Sequence, residues 1–237
     1  MSYIGYVPAA KPLTSADITD SVVTSAKIVD GTIAIADLSA TGTPSSTTFL
    51  RGDNTWNTPA AGAFVFLGET SASNVATVDL NGYFTSSYDY YHIYIDDHYG
   101  SVNSQSLCMR FATTGSYTVQ SSGYYVGILF GGQNASGTTV VEQGTVYNDT
   151  YCTVNLYVSN TSTQVGNTVV TIFNPMGSNV KTYTTIFSGV ESNINTIRCG
   201  AGGGRWNNTT AITGVRFFNA SGNITARKIR IYGIKNS

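Results

Sequence analysis

Charge is what this chain has least of. Asp, Glu, Lys and Arg make up 11% of its 237 residues, against about 25% in an ordinary globular protein. Twelve basic side chains nearly balance 13 acidic ones, which argues against nucleic acid as a partner, because phosphate binding needs concentrated Lys and Arg. The one basic cluster, "ARKIRIYGIK" at 226–235, alternates as a strand. Ile229 and Ile231 fall on one face and Lys228 and Arg230 on the other, a solvated face. Strong helix formers never gather at helical spacing, so long helices are not expected. No apolar run reaches the ~18 residues of a membrane span. The opening "MSYIGYVPAAKPLTSADITD" lacks the basic and apolar regions of a secretory signal, so synthesis in a cytoplasm without export is expected. Cysteine is also scarce. Cys108, Cys152 and Cys199 form no C-x-x-C pair, and the first two sit in apolar strand-like runs, as buried free thiols do.

What fills the space is Gly, Ser, Thr, Asn and Tyr, with 25 Gly and 16 Tyr; 41% of residues are hydrophobic. Such a chain can bury a core, and its Val, Ile, Thr, Tyr and Phe fit a pleated surface. Its texture changes twice. Residues 1–15 are a short lead, 16–62 hold a repeat and a small-residue connector with a solitary Trp56, and 63–237 are a succession of strand-like segments. These are "AFVFLGE", "VATVDL", "YDYYHIYID", "QSLCMRFAT", "YYVGILF", "CTVNLYVS", "TVVTIFN", "KTYTTIFSGV", "NTIRCG", "AITGVRFF" and "ARKIRIYGI". Short strands separated by Gly, Asn, Ser and Asp predict an all-β domain, a β-sandwich of jelly-roll-like size.

The repeat is "ADITDSVVTSAKIVDGTIAIADL", residues 16–38. Ile18, Val23, Ile28, Ile33 and Leu38 recur at every fifth position, and Ala-Asp-Ile, Ala-Lys-Ile and Ala-Asp-Leu recur at every tenth. The period is neither the 3.6 of an amphipathic helix nor the 2 of a strand. Burying one aliphatic side chain contributes about 1.5–3 kcal/mol, while ordering each backbone residue costs about 1–2 kcal/mol. One such side chain in five does not order a single chain. Several copies wrapped around one axis share a core, and three is the expected number. Asp20-Ser21 and Asp30-Gly31 are turn signals in equivalent places. A flexible Ser/Thr-rich linker is the competing reading, but a linker has no reason to keep Ile and Val in step for five cycles.

These residues resemble a known group. "AKIVDGTIAIADL" followed by "GTPSSTTFLRGDNTWNTP" is similar to the shaft and connector of bacteriophage tail-fibre and receptor-binding proteins. "MSYIGYVP" resembles the N-termini of such fibres from cyanophages and other marine phages, and "YDYYHIYIDD", "LCMRFATTGSYTVQSSGYY" and "RKIRIYGIK" resemble their β-rich tips. The resemblance implies a homotrimeric virion protein, made in the host cytoplasm and released by lysis. Residues 1–15 dock on tail or baseplate proteins, 16–62 form the shaft, and 63–237 form a tip that contacts the host surface. A capsid decoration or tail-assembly protein without receptor binding is the alternative.

Candidate chemistry centres on "YDYYHIYIDDHYG". As a strand, Tyr91, Ile93 and Ile95 face one way and Tyr90, His92, Tyr94 and Asp96 the other. Tyrosines offer flat apolar faces and hydroxyls, which glycan recognition uses; the same face would also suit a subunit interface. "CGAGGGRW", 199–206, reads as a mobile glycine loop. Arg205 and Trp206 either present a binding surface there or anchor the loop by Trp packing. His92, Asp96 and His98 share a strand face in this reading, but about 13 Å separates i from i+4 on a strand, so no metal site is expected. Asp96 and Asp97, being adjacent, point to opposite faces and cannot act as an acid–base pair. No hydrolase or phosphate-loop motif is present; neither an enzyme nor a cofactor is expected.

Overall fold

The computed structural model describes residues 12, 14–59, 62–113, 117–133, 136–137, 139–191 and 196–235. Of the lead at 1–15, the expected docking segment, all but residues 12, 14 and 15 lie outside the described residues. The chain divides into two compact units, residues 1–60 and 61–237. Among the described residues there is no α-helix, and no helix is long and apolar enough to cross a membrane.

In the first unit the ten-residue sequence repeat is also a backbone repeat. Single 3-10 turns at Ser15–Asp17, Ser25–Lys27 and Ile35–Asp37 alternate with tight turns at 20–21 and 30–31. Ser21 (φ 68) and Gly31 (φ 79) occupy equivalent left-handed positions. The amides of Asp17, Lys27 and Asp37 donate to the carbonyls of Thr14, Thr24 and Ala34, each at 2.9 Å. The Asp17 and Asp37 carboxylates accept the amides of Thr14 (2.8 Å) and Ala34 (2.7 Å), closing the turns with side chains rather than with a core. The five apolar residues stay exposed, from 36% at Leu38 to 57% at Val23 and Ile33.

The connector is more ordered than its composition indicates. Strands β1 (Phe49–Leu50) and β2 (Trp56–Asn57) pair as a hairpin. The Arg51 amide donates to Thr55 O (2.9 Å) and the Asn54 amide to Arg51 O (3.0 Å). Gly42, at φ 90, lies against Trp56, where a Cβ would come within 2.7 Å of the Trp56 carbonyl oxygen.

The second unit contains β3 (Phe64–Val75), β4 (Val78–Asn81), β5 (Tyr88–Gly100), β6 (Gln105–Thr113), β7 (Thr118–Val119), β8 (Tyr124–Gln133) and β9 (Thr139–Asp149). It continues with β10 (Cys152–Val158), β11 (Gly166–Phe173), β12 (Lys181–Glu191), β13 (Thr196–Trp206), β14 (Ile212–Asn219) and β15 (Ile224–Lys235). An eight-stranded sheet runs β3-β15-β5-β11-β12-β13-β8-β9; a five-stranded sheet runs β10-β6-β14-β4 with β7 on β6. All strand pairs are antiparallel. The two sheets face each other across one core. Tyr91, Ile93, Ile95, Ile172, Ile229 and Ile231 on one side meet Leu107, Met109, Phe111, Val154, Val215 and Phe217 on the other.

Inward hydroxyls join the sheets. Tyr183 donates to Thr153 O (3.1 Å), Thr185 to Val154 O (2.7 Å), and the Tyr124 hydroxyl accepts the Phe111 amide (2.9 Å). Burial raises the pKa of Tyr183 and Tyr124. Cys108 and Cys152 are buried and unpaired, while Cys199 is exposed; burial also pushes up the first two thiols.

Each of the eleven expected segments contributes to a strand, with "VATVDL" interrupted at Ala76-Thr77 between β3 and β4 and "NTIRCG" described from Thr196 onward. Three readings are corrected. First, "CGAGGGRW" is not a loop: it lies inside β13, paired on both edges from Ile197 to Trp206. Its inward glycines admit large neighbours, for a Cβ on Gly200 would meet the Phe187 ring at 2.7 Å, and one on Gly204 the Tyr183 ring at 2.9 Å. Second, His98 does not share a face with His92. A bulge sets Asp96 and Asp97 opposite Asn167 alone, with Asp97 at φ 49, so the alternation slips by one and His98 turns into the core, fully buried. Third, the same bulge leaves both Asp96 and Asp97 partly exposed instead of on opposite faces; each is taken up by an arginine, Arg230 and Arg227.

Candidate binding face

The outer face of the eight-stranded sheet collects four of the five candidate glycan residues. The register sets Phe64, Ile234, Tyr90, Phe173, Thr182, Arg205 and Tyr125 in one row across seven strands. Two residues along each strand, a second row holds Tyr232, His92, Thr171, Thr184, Gly203, Gly127 and Thr145. Tyr94 lies in the row beyond. Tyr90 and Arg205 are three strand spacings apart, about 14 Å.

Trp206 does not belong to this face. As the next residue after the outward Arg205 it points inward; it is buried among Phe111 and Tyr124, and its Nε1 donates to Ser122 O at 3.0 Å. Packing, not recognition, is its role.

The β5 end of the face is aromatic. The Phe64 and Tyr232 rings stack at 4.6 Å, with Phe66 and Tyr94 edge-on to Tyr232 at 5.4 and 5.6 Å. Phe173 stands edge-on to Tyr90 at 5.6 Å. His92 Nδ1 lies 3.0 Å from the Thr171 hydroxyl, and partial burial lowers its pKa, so the ring is a neutral polar surface at pH 7. Ion pairs flank this platform: Lys228 to Glu69 at 2.8 Å, Arg227 to Asp97 at 2.5 Å, and Arg230 to Asp96. The other end is open and apolar, with Leu129, Val141, Ile186 and Ile197 all more than half exposed.

Flat rings edged by hydroxyls and a neutral imidazole stack against the apolar faces of sugars and hydrogen-bond their rims. Phe64, Phe66, Phe173, Tyr232 and Tyr125 were missing from the sequence-derived set. Alternation in "AFVFLGE" and "RKIRIYGIK" already puts the first two, and Tyr232, on the face opposite the buried residues. Among the described residues no group of three or more His, Cys, Asp or Glu is placed to hold a metal ion. No protein-family model, curated protein or solved structure matches this chain.

Proposed function

We propose that the chain is a homotrimeric fibre protein of a bacteriophage virion. Its N-terminal segment docks on tail or baseplate proteins, its repeat forms a three-chain shaft, and its jelly-roll-like tip binds host-surface polysaccharide. The observation that carries this reading is the exposure of Ile18, Val23, Ile28, Ile33 and Leu38 on a backbone that repeats every ten residues. Regular turns held by their own hydrogen bonds set these side chains in step, and sister copies of the same chain supply the apolar surface they lack. The resemblance of shaft, connector and tip to phage fibres supports the location. The platform around Tyr90, His92 and Tyr94 supports the ligand class, with Arg205 three strands away in the row of Tyr90.

Three tips on one shaft convert weak sugar contacts into firm attachment through effective concentration. The binding half is tested on an array of bacterial envelope polysaccharides. Retention of the full-length protein that falls on Tyr90→Ala and Tyr94→Ala supports it; no retention on any polysaccharide rejects it. The oligomer is tested by its mass in solution.

A further inference from the structure

Arg205 stands apart from the other arginines of the second unit. Arg198, Arg216, Arg227 and Arg230 each pair with a carboxylate, and Arg110 donates to Thr150 O at 2.8 Å. Arg205 pairs with no carboxylate among the described residues; its guanidinium lies 4.8 Å over the Tyr125 ring. In a chain with so little charge, an exposed and unpaired guanidinium held in place by an aromatic ring is ready for an anion from outside.

Beside it is a trough of about 440 Å³ lined by Tyr125, Gly127, Thr145, Thr182 and Arg205. Gly127, the register partner of Gly203 on the neighbouring strand, lies on its floor. Gly127 is exposed, and a Cβ there would meet nothing within 4 Å. Neither crowding nor backbone geometry demands glycine at 127, yet its absence of side chain keeps the trough open. The walls offer two threonine hydroxyls and one cation, and the trough continues the rows that carry Tyr90 and His92.

We infer that this trough is a subsite for a carboxylated sugar, a uronic acid or related acidic residue of a surface polysaccharide. The planar guanidinium fork matches a carboxylate in bidentate fashion, and the sugar ring lies over the glycine floor. The subsite rests on the polysaccharide-binding reading above and names the chemistry of one end of that face.

The test uses full-length protein and calorimetric titration with oligomers of galacturonate and glucuronate, each as free acid and as methyl ester. The free acids are expected to bind and the esters to bind at least tenfold more weakly. Arg205→Gln is expected to lose roughly tenfold to a hundredfold in affinity for the acids, the range of a charge-assisted hydrogen bond. Gly127→Leu fills the trough and abolishes binding with unchanged near-UV circular dichroism. Equal affinity for acid and ester, binding of neutral polysaccharide alone, or an unaffected Arg205→Gln overturns the subsite and leaves the wider reading standing. Failure to bind any of these oligomers or any envelope polysaccharide overturns both.

Discussion

Lowering the pH from 7 to 5 should weaken the sandwich through one buried side chain. His98 is fully buried where the bulge turns it between the two sheets. Its Nε2 sits 2.8 Å from the Thr168 hydroxyl on the large sheet and 3.2 Å from Asn155 Nδ2 on the small one. Its Nδ1 has no hydrogen-bond partner among the described residues. A charged imidazole needs two acceptors and finds at most one, so burial lowers the pKa from 6.5 to about 4, with the nearby Asp97 carboxylate opposing only weakly. The unfolded chain therefore takes up the proton first. Stability is fully present above pH 6.5 and is lost as pH falls toward 4. Linkage puts the loss at about 2 kcal/mol between pH 7 and 5, and about 3 kcal/mol by pH 4. Urea unfolding monitored by tryptophan fluorescence at pH 7, 6 and 5 reads this directly, because most carboxylates stay ionised in that window. His98→Gln, which cannot titrate, is expected to flatten the pH slope by most of that 2 kcal/mol. An identical slope in parent and variant would refute the assignment of a neutral, core-facing His98.

Two further comparisons probe the packing. Arg198 and Glu191 pair at 2.9 Å with side chains 6% and 9% exposed, and Ser104 donates to Glu191 at 2.7 Å. Glu191→Leu leaves the buried guanidinium only the half-exposed Glu142, 3.7 Å away, and should destabilise by about 3 kcal/mol, with much of it regained in the double variant with Arg198→Met; denaturant midpoints measure both. Gly200→Ala would bring a Cβ to 2.6 Å from Leu129 O and 2.7 Å from the Phe187 ring, so about 1–3 kcal/mol is expected. Gly127→Ala, facing open space on the same sheet, should stay within about 0.5 kcal/mol. Scanning calorimetry of the pair separates a packed strand from a mobile loop, which would tolerate alanine at 200.

Alternation made much of this architecture legible. Tyr91, Ile93 and Ile95 face the core and Tyr90, His92 and Tyr94 face out because a half-buried strand has period two. Alternation also fails at definite places. The bulge at Asp96–Asp97 adds one residue to β5, and periodicity carries no trace of it; only the tolerance of Asp for positive φ hints at such a site. In β13 the run Gly202-Gly203-Gly204 looks like backbone freedom, whereas Gly200 and Gly204 make room for rings from β12, a partner that composition does not name. Strand β9 escapes because Glu142-Gln143-Gly144 breaks the alternation in an edge strand, where one side needs no partner. The outward positions of Tyr90, His92 and Tyr94 were legible residue by residue, whereas the strand positions of Arg205 and the inward Trp206 were not. That Tyr90 and Arg205 share a row depends on the order β5-β11-β12-β13, which joins strands that are far apart in the chain.

Sedimentation equilibrium of the full-length chain tests the central claim most directly. A shared three-chain shaft gives a species of three times the 25.1 kDa chain mass over a wide concentration range, dissociating when Val23→Asp and Ile28→Asp are combined. A well-folded 25.1 kDa monomer at every concentration, with its ten-residue turns intact, would contradict it.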